Sequence, residues 1–325
     1  MAAARPASQA GAMTEPGTVL ITGPTRNLGR HAVLAMARRP AGRRPDLLLV
    51  GRAGPDLTAV ADEARAHGAV VHEIGCDLSR LADVRAAAAT VRALLTAGAV
   101  RPLRALVANA GAMSADTRRA SSDGYEMTFA VNHLAHAQLI GDLLGSFTTP
   151  ARVVLLGSNT YHANFWRRLL GVPEAEWADP VELARPAAGE RAPGMTASGV
   201  AYSNAKLAIL YYAHELQRRV GDGINVSVFE PGWMPGTALG RGAPRAFRVM
   251  SRVLGRVPGV STPRRSGPLL AALALDDRWA HLREGAFVVK TRPAEVRPVA
   301  CDPGRERRLW EATAELLERA GTSKA

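Results

Sequence analysis

A tyrosine and a lysine stand four residues apart at Tyr202 and Lys206, inside the run AYSNAKLAIL, which has the composition of a helix. Residues at i and i+4 are neighbours on a helix surface, so the lysine ammonium would lie near the tyrosine phenol. A phenol titrates at about pH 10, and a nearby positive charge favours its anion and makes it a better acid-base group. The same spacing also suits a half-buried ring beside a solvated charge, so the pair alone leaves both interpretations open.

Short apolar runs alternate with helix-length segments and predict the strands of a sheet. The runs are 18–22, 46–51, 69–75, 104–109, 152–158, 225–230 and 286–290. Nearly continuous apolar strands that alternate with helices are typical of a parallel sheet covered on both faces. The sequence therefore predicts an α/β fold with a doubly wound parallel sheet and helices on both faces, in a single domain over 18–319. A flexible leader at 1–17 and a tail at 320–325 flank this domain.

The first predicted strand runs into TGPTRNLG, where a glycine-containing turn opens a helix. Such a turn can direct backbone N–H groups and the positive helix end at a pyrophosphate, because glycine has no Cβ to block close approach. An ordinary tight strand-to-helix connection has the same pattern. Arg52 ends the second predicted strand, where a site for NAD usually has an acidic residue. With Arg26 it favours a 2′-phosphate and hence NADP, although Arg52 also suits a solvated strand end.

Composition and charge exclude several classes of function. The formal net charge is +12, but the arginines are spread along the chain and no recognition motif for nucleic acid is present, so no nucleic-acid partner is predicted. Cys76 and Cys301 have neither disulfide nor metal-site spacing, which is typical of a reducing cytoplasm. No apolar run reaches the roughly 18 residues of a membrane span, and the leader lacks the apolar centre of a signal peptide. The expected location is the cytoplasm.

Seven motifs follow one another in a characteristic order. They are TGPTRNLG (22–29), CDL (76–78), NAG (109–111), VNHLAH (131–136), LLGS (155–158), YSNAK (202–206) and EPGWMPGT (230–237). This set resembles the short-chain dehydrogenase/reductase superfamily, and DGYEMTFAVNHLAHAQLI, AYSNAKLA and RRLWEATAELLE resemble its retinol dehydrogenase and protochlorophyllide reductase branch. The resemblance covers nearly everything except the leader and an insertion, and it implies a Rossmann fold.

The resemblance implies a complete catalytic tetrad, which here is Asn132, Ser158, Tyr202 and Lys206. Tyr202 would exchange a proton with the substrate, and Ser158 would hold the substrate oxygen by a hydrogen bond. Lys206 would lower the pKa of the phenol and bind the nicotinamide ribose. Asn132 would position a water that links Lys206 to solvent; the alternative for this residue is a helix-bending or capping amide.

The resemblance also implies how a cofactor would lie. Asp77 and Leu78 would flank the adenine, the turn at 109–111 would lie under the cofactor, and the segment 231–237 would meet the nicotinamide. Each of these stretches alone is also typical of ordinary loops. The implied cofactor-binding residues are Gly23, Thr25, Arg26, Asn27, Leu28, Gly29, Arg52, Asp77, Leu78, Asn109, Ala110, Gly111, Tyr202, Lys206, Pro231, Gly232, Trp233 and Thr237.

The glycine turn departs from the family pattern at Asn27, where glycine is usual. Asparagine tolerates a positive φ, so the turn can form, although the side chain can crowd or replace a phosphate contact. This departure keeps open a second class of function, an NADP-binding regulator or scaffold without turnover. The intact tetrad argues against it.

An insertion at 161–199 separates Ser158 from Tyr202 by 44 residues. Its aromatic residues Phe165, Trp166 and Trp177 suit either a pocket wall for a bulky apolar substrate or a surface excursion that packs on its own domain. A role as a lid over the substrate is a hypothesis.

The segment 245–257 has the pattern of a basic amphipathic helix within a substrate-capping region at 236–260. We interpret it as a capping helix in preference to a peripheral membrane contact, since one short stripe is weak evidence for membrane attachment. The C-terminal run DPGRERRLWEATAELLERA predicts a structural amphipathic helix. The helices that carry VNHLAHAQLI and AYSNAKLAILYYAHEL imply, by resemblance, a homodimer or homotetramer.

Taken together, the residues and the resemblance predict an NADP(H)-dependent oxidoreductase. It would interconvert a carbonyl and an alcohol on a medium-to-large apolar small molecule, with Tyr202 as the proton donor and acceptor. Reduction of a conjugated C=C bond is the alternative among enzymes. The sequence does not identify the substrate, the stereochemistry or the direction of the reaction.

Overall fold

The computed structural model describes residues 16–162, 173–189, 194–234 and 261–322. Within these ranges one eight-stranded sheet has the order β3-β2-β1-β4-β5-β6-β7-β8. The strands are β1 (Thr18–Thr22), β2 (Asp46–Gly51), β3 (Val71–Gly75), β4 (Leu103–Ala108), β5 (Phe147–Leu156), β6 (Ile224–Glu230), β7 (Ala286–Val289) and β8 (Arg292–Pro293). Neighbours among β1 to β7 pair in parallel, and β8 pairs antiparallel with β7. The doubly wound parallel sheet expected from the sequence is confirmed.

Helices cover both faces of this sheet. They are α1 (Asn27–Ala37), α2 (Pro55–Ala66), α3 (Leu81–Thr96), α4 (Met127–Phe129), α5 (Ala135–Leu143), α6 (Pro180–Leu183), α7 (Met195–Val220), α8 (Pro263–Leu275) and α9 (Pro303–Thr322). A π-helical turn, Ala130–Leu134, joins α4 to α5. None of the helices in the described part of the chain is long and apolar enough to cross a lipid bilayer.

The alternation of side chains along the buried strands produces two apolar cores. In β1, Val19 and Ile21 belong to the core that α1, α2 and α8 cover, whereas Leu20 belongs to the core that α3, α5, α7 and α9 cover. All three side chains are fully buried. Both faces of a strand must therefore be apolar, which is why its sequence is a continuous apolar run rather than an alternating one.

The strand order places the loops that carry the candidate site residues on one edge of the sheet. β1 lies between β2 and β4, so the chain after β1 turns one way across the sheet and the chain after β4 turns the other. In such sheets a crevice opens outside the carboxyl ends of the strands at this switch point, and ligands bind there. The motifs that follow β1 to β6 all lie at that edge.

Two strands differ from the predictions by more than two residues. β5 begins at Phe147, five residues before the predicted start at 152, because Thr148 and Thr149 are exposed and interrupt the apolar pattern. β8 was not predicted at all, since Arg292 and Pro293 are exposed and too few to form a pattern.

The described part of the insertion and α9 pack together over α7. Trp177 lies edge-on to Tyr211 of α7 at 4.8 Å between ring centroids, and Asp179 pairs with Arg308 of α9 at 2.7 Å. Trp177 therefore packs on its own domain. This agrees with the interpretation of the insertion as a surface excursion. Phe165, Trp166, Thr237 and the whole 236–260 capping region, with its predicted helix at 245–257, lie outside the described residues.

Candidate active site

Helix α7 and the end of β5 bring three members of the predicted tetrad together. Ser158 follows β5 by two residues, and Tyr202 and Lys206 lie four residues apart on α7. The Lys206 Nζ atom is 5.5 Å from the centre of the Tyr202 ring, and it donates a hydrogen bond of 2.7 Å to the carbonyl of Leu156. The Ser158 hydroxyl lies close enough to the Tyr202 phenol to lower its pKa. The helical spacing thus juxtaposes phenol and amine as expected.

The electrostatics of Tyr202 and Lys206 are dominated by burial. Desolvation lowers the pKa of Lys206 to about 7, and the Glu230 carboxylate acts against this shift. Desolvation also raises the pKa of Tyr202, Glu230 raises it further, and the Ser158 hydroxyl lowers it. The pKa of Tyr202 is raised, whereas its lysine neighbour was expected to lower it. Transfer of a phenolate out of water costs more free energy here than the nearby groups provide.

Asn132, the fourth member of the tetrad, lies in the π-helical turn before α5 and is buried. Its Nδ2 donates to the carbonyls of Ala112 and Thr128, at 2.6 and 2.7 Å, which fixes the orientation of the amide. Its Oδ1 is buried and accepts no hydrogen bond from the described residues. A Cβ built on Gly111 would lie 2.8 Å from this Oδ1 and 3.9 Å from Lys206 Nζ, so both polar atoms converge on Gly111.

The turn after β1 has the geometry that its glycines predicted. Gly23 has a φ of 65°, and Asn27 adopts a positive φ of 47°, as the sequence analysis expected of an asparagine at that position. A Cβ on Gly29 would lie 2.2 Å from the carbonyl oxygen of Gly23, so no side chain fits there. Helix α1 starts at Asn27 without an acidic residue in its first turn, and its positive end is therefore open to an anion.

The turn after β4 is bonded to the turn after β1. Asn109 Nδ2 donates to the carbonyls of Thr22 and Gly23, at 2.9 and 3.1 Å, and the Ala110 N–H donates to Thr22 Oγ1 at 3.0 Å. The Asn109 side chain thus holds two strand ends together. The role of Asn109 in cofactor binding stays a prediction, while its amide joins the two turns at the floor of the crevice.

Two arginines lie at the outer end of the crevice. Arg26 Nη2 pairs with Asp56 Oδ2 of α2 at 2.5 Å, and both side chains are more than half exposed. The pKa of Asp56 is lowered, first by this hydrogen bond and also by the charge of Arg52, so Arg52 lies in the same electrostatic environment. The two positive charges predicted to meet a phosphate are therefore close together, and one of them carries a carboxylate partner.

The remaining predicted residues have local structural partners. Asp77 accepts hydrogen bonds from the N–H and the hydroxyl of Ser79, at 3.0 and 2.8 Å, and Leu78 packs against an apolar core. After β6, the Pro231 carbonyl accepts from Ser266 Oγ at 3.1 Å. These contacts hold the two loops at the edge of the crevice.

Trp233 also follows β6, and more than half of its surface is exposed. Between it and Pro231, Gly232 has a φ of 85°, and its N–H donates to Glu230 Oε2 at 3.1 Å. Thr25 and Leu28 lie in and just after the β1 turn, partly buried and buried respectively. An indole exposed next to the catalytic loops is available to contact an apolar ligand.

Two buried residues of the site were missed by the sequence analysis. Glu230 accepts hydrogen bonds from Asn159 Nδ2 at 3.2 Å and from the Gly232 N–H. His136 Nε2 lies 2.9 Å from Thr22 Oγ1, and its Nδ1 lies 3.1 Å from the carbonyl of Asn132. Glu230 lies in the motif EPGWMPGT, and His136 lies in the motif VNHLAH. Their position within these motifs was the signal from which they could have been predicted.

Comparison with known proteins gives a consistent result. A family model described as short chain dehydrogenase matches residues 17–165. A Streptomyces sp. (strain C5) protein provisionally named daunorubicin C-13 ketoreductase is 32% identical over 303 residues, which cover 92% of this chain and 92% of that protein. Retinol dehydrogenase 13 of Homo sapiens is 27% identical and covers 94% of this chain and 86% of its own length. The rice (Oryza sativa subsp. japonica) chloroplastic protochlorophyllide reductase B is 28% identical, with 96% and 80% covered.

Among solved structures, a short chain dehydrogenase from Burkholderia cenocepacia in complex with NADP superposes with a TM-score of 0.59. It is 20% identical to this chain and covers 86% of this chain and 97% of its own. At that level of identity the likeness concerns the fold.

Proposed function

The chain belongs to the short-chain dehydrogenase/reductase superfamily, and we propose that it is an NADP(H)-dependent oxidoreductase that interconverts a carbonyl and an alcohol on a medium-to-large apolar small molecule. The observation that supports this most strongly is the position of Lys206, whose Nζ atom lies 5.5 Å from the centre of the Tyr202 ring, with the Ser158 hydroxyl near the same phenol. Two hydroxyl groups side by side can bond to one substrate oxygen, and the lysine can supply the positive charge that a proton relay needs.

Features of the crevice fit a dinucleotide phosphate. The positive end of α1 faces it, Gly29 leaves the backbone of the turn unobstructed, and the buried Asn132 Oδ1 is an acceptor without a partner among the described residues. Arg26 and Arg52 would hold the 2′-phosphate, and Lys206 would bind the nicotinamide ribose. NADPH would supply the hydride for carbonyl reduction, and NADP⁺ would accept it in alcohol oxidation.

Side chains of the protein would then transfer the proton. Because its pKa is raised, Tyr202 keeps its proton at neutral pH and is ready to donate it to a carbonyl oxygen. Ser158 would hold that oxygen in place beside the phenol. Lys206, with its pKa lowered to about 7, exchanges protons readily near neutrality, and Asn132 Oδ1 would position a water beside it.

The substrate class is argued from the relatives and from one exposed side chain. The curated relatives bear the names of a ketoreductase, a retinol dehydrogenase and a protochlorophyllide reductase, which all refer to bulky substrates with extended apolar parts. Trp233, exposed beside the catalytic loops, offers a contact surface to such a molecule.

One relative favours a second reaction. The match to a protochlorophyllide reductase covers 80% of that protein's length. Because of this relative, we keep reduction of a conjugated C=C bond as the alternative. Tyr202 would donate the proton in either reaction, and the products distinguish them. The third candidate, an NADP-binding protein without turnover, is disfavoured by the intact set of Asn132, Ser158, Tyr202 and Lys206, because cofactor binding alone does not require a proton relay.

The cofactor is tested first, by calorimetric titration of NADPH and NADH. We expect NADPH to bind more tightly than NADH, and Arg52→Ala to weaken NADPH binding about tenfold or more, the range for a hydrogen bond to a charged group. Asp56→Asn should release Arg26 and tighten NADPH binding by up to about fivefold without affecting NADH. Asp62→Asn is the matched control, because Asp62 lies on the same helix and pairs with Arg65 instead. If neither nucleotide binds, the cofactor assignment is wrong.

Turnover is tested next, on a panel of bulky ketones and conjugated enones with product analysis. Tyr202→Phe should lower kcat by about 100-fold or more, because it removes the proton donor. Tyr212→Phe, on the same helix and stacked on Trp310, should leave kcat within about twofold. Tight NADPH binding without turnover of any substrate would support the binding-protein alternative.

A further inference from the structure

A chain of three hydrogen bonds crosses the interior behind the candidate site. The Ala110 N–H donates to Thr22 Oγ1 at 3.0 Å, Thr22 Oγ1 lies 2.9 Å from His136 Nε2, and His136 Nδ1 lies 3.1 Å from the carbonyl oxygen of Asn132. His136 and Asn132 are almost completely buried, as is Thr22. The chain therefore links the ends of β1 and β4 to the π-helical turn that carries Asn132.

The direction of every bond in this chain is determined by its two ends. A carbonyl oxygen can only accept, so His136 Nδ1 must carry a proton and donate it to Asn132. In a neutral imidazole Nε2 is then an acceptor, and the Thr22 hydroxyl must donate to it. The oxygen of Thr22 is left to accept from the Ala110 N–H, which can only donate. Each of the four groups is satisfied in one arrangement.

Burial keeps the imidazole in that neutral form. Desolvation lowers the pKa of His136 to about 4, and the positive charge of Lys206 on α7 adds to this effect, while the Asn132 carbonyl opposes it. His133, the other titratable group on the same helical segment, is also neutral, since burial lowers its pKa to about 3. No change in the chain is therefore expected between pH 6 and pH 9.

We propose that His136 is a positioning residue, which holds the Asn132 turn in register with the two strand ends that form the floor of the cofactor crevice. The proposal rests on the proposed function. In the π-helical turn the Ala135 N–H bonds to the carbonyl of Ala130, so the backbone is displaced from the regular helical pattern. Such turns are frequent at functional sites. His136 bonds to the Asn132 carbonyl and, through Thr22, connects it to the floor of the cofactor crevice.

The chain offers a matched control for this role. His133 lies on the same turn and is equally buried, but its Nε2 lies 2.7 Å from Thr313 Oγ1 of α9, on the side away from the crevice. Its ring packs against Phe129 and Tyr212. Replacing His133 therefore removes a buried, hydrogen-bonded imidazole without touching the link to Asn132.

The first experiment compares Thr22→Val with Thr22→Ser. Both variants fit the site, but only serine keeps the hydroxyl that bonds to His136 and Ala110. We expect Thr22→Val to lower kcat by about 10-fold to 100-fold, the range expected when a catalytic group is displaced by roughly 1 Å, and Thr22→Ser to restore most of it. His136→Phe should behave like Thr22→Val, and His133→Phe should lower the thermal midpoint while kcat stays within about threefold.

A second measurement is independent of turnover. Nitrogen chemical shifts of the histidine rings should show His136 as the neutral form protonated at Nδ1, unchanged from pH 6 to pH 9. In Thr22→Val the His136 Nε2 resonance should move toward the chemical shift of a ring nitrogen that accepts no hydrogen bond. In Thr22→Ser it should have the wild-type chemical shift. The opposite tautomer in the wild-type protein would overturn the proposed direction of the chain.

The two hypotheses fail in different ways. If the proposed function is wrong, the wild-type protein shows no turnover and Tyr202→Phe changes nothing. If the positioning role is wrong, the wild-type protein is active and Thr22→Val and His136→Phe retain its kcat. Equal losses of kcat in His136→Phe and His133→Phe at matched thermal midpoints would also overturn it.

Discussion

Glu230 places a buried carboxylate beside the proton-transfer residues. Its Oε2 accepts from Asn159 and Gly232, which follow β5 and β6, so the carboxylate joins the two loops that flank the substrate region. Its charge raises the pKa of both Tyr202 and Lys206. Glu230 therefore favours the protonated state of both groups at once.

Glu230→Gln should move the alkaline limit of activity to lower pH. The substitution keeps the shape and removes the charge, so the pKa of Lys206 should fall below its value of about 7, because Glu230 is the group that raises it. Lys206 would then lose its proton at a lower pH, and kcat/KM would decline earlier as the pH rises. A pH profile of kcat/KM from pH 5 to pH 9 measures this.

Glu306→Gln is the control for that profile. Glu306 is equally buried, but it pairs with His214 and Arg218 on the far side of α7, so its removal should leave the alkaline limit in place. A Glu230→Gln profile that superimposes on the wild-type profile would exclude an electrostatic role for this carboxylate.

The helical period was sufficient to predict that Tyr202 and Lys206 are neighbours on one helix. Ser158 and Asn132 were predicted from the family resemblance and not from spacing. The sign of the pKa shift of Tyr202 could not be predicted, because desolvation depends on the layers of chain that the fold places around the phenol. Glu230 and His136 were missed because one partner of each, Asn159 and Thr22 respectively, is remote in sequence.

At the scale of elements, the start of α1 determines whether a cofactor can approach. Gly29→Ala should weaken NADPH binding at least tenfold and lower the thermal midpoint, because its Cβ would lie 2.2 Å from the Gly23 carbonyl and the turn would have to move. Gly141→Ala is the control, since nothing lies within 4 Å of its Cβ position in α5. That substitution should stabilise the helix by roughly 0.5–1 kcal/mol. Calorimetry and thermal unfolding of both variants test this, and unchanged NADPH binding in Gly29→Ala would contradict it.

The boundaries of elements were predictable where apolar runs end sharply. β1 and β2 have the predicted limits. The buried residues of β1 end directly before Gly23, and those of β2 end at Val50, two residues before Arg52. The π-helical turn at Ala130–Leu134 was not predictable, because its apolar spacing is that of an ordinary helix and only the hydrogen bonds differ.

At the scale of the whole molecule, α9 ties distant parts of the chain together. Its Trp310 stacks on Tyr212 of α7 with ring centres 5.4 Å apart, and the Tyr125 hydroxyl donates to the Leu316 carbonyl at 2.6 Å. Leu309 and Leu316 are buried in the same core as α5 and α7. The predicted structural role of this amphipathic helix agrees with these contacts.

The covering of α7 by α9 makes the expected assembly specific. A homodimer or homotetramer stays a prediction, and contact through α7 would have to include α9. We expect light scattering to give a dimeric or tetrameric mass. Substitutions on the exposed side of α9, such as Arg307→Glu and Glu311→Arg, should then reduce that mass. A monomeric wild-type protein would contradict the expectation.

The two neutral histidines beside the π-helical turn carry a consequence for acid denaturation. His133 and His136 have pKa values of about 3 and 4 in the folded protein because both are buried, whereas in an unfolded chain each would take up a proton at about pH 6.5. The unfolded state therefore binds more protons below that pH, and the free energy of unfolding must fall as the solution is acidified through pH 6 toward pH 4. Urea unfolding at pH 7.5 and pH 5 should show this decline, and His133→Phe should make it shallower. The same interior that holds Asn132 in place thus sets the acid limit of the folded protein.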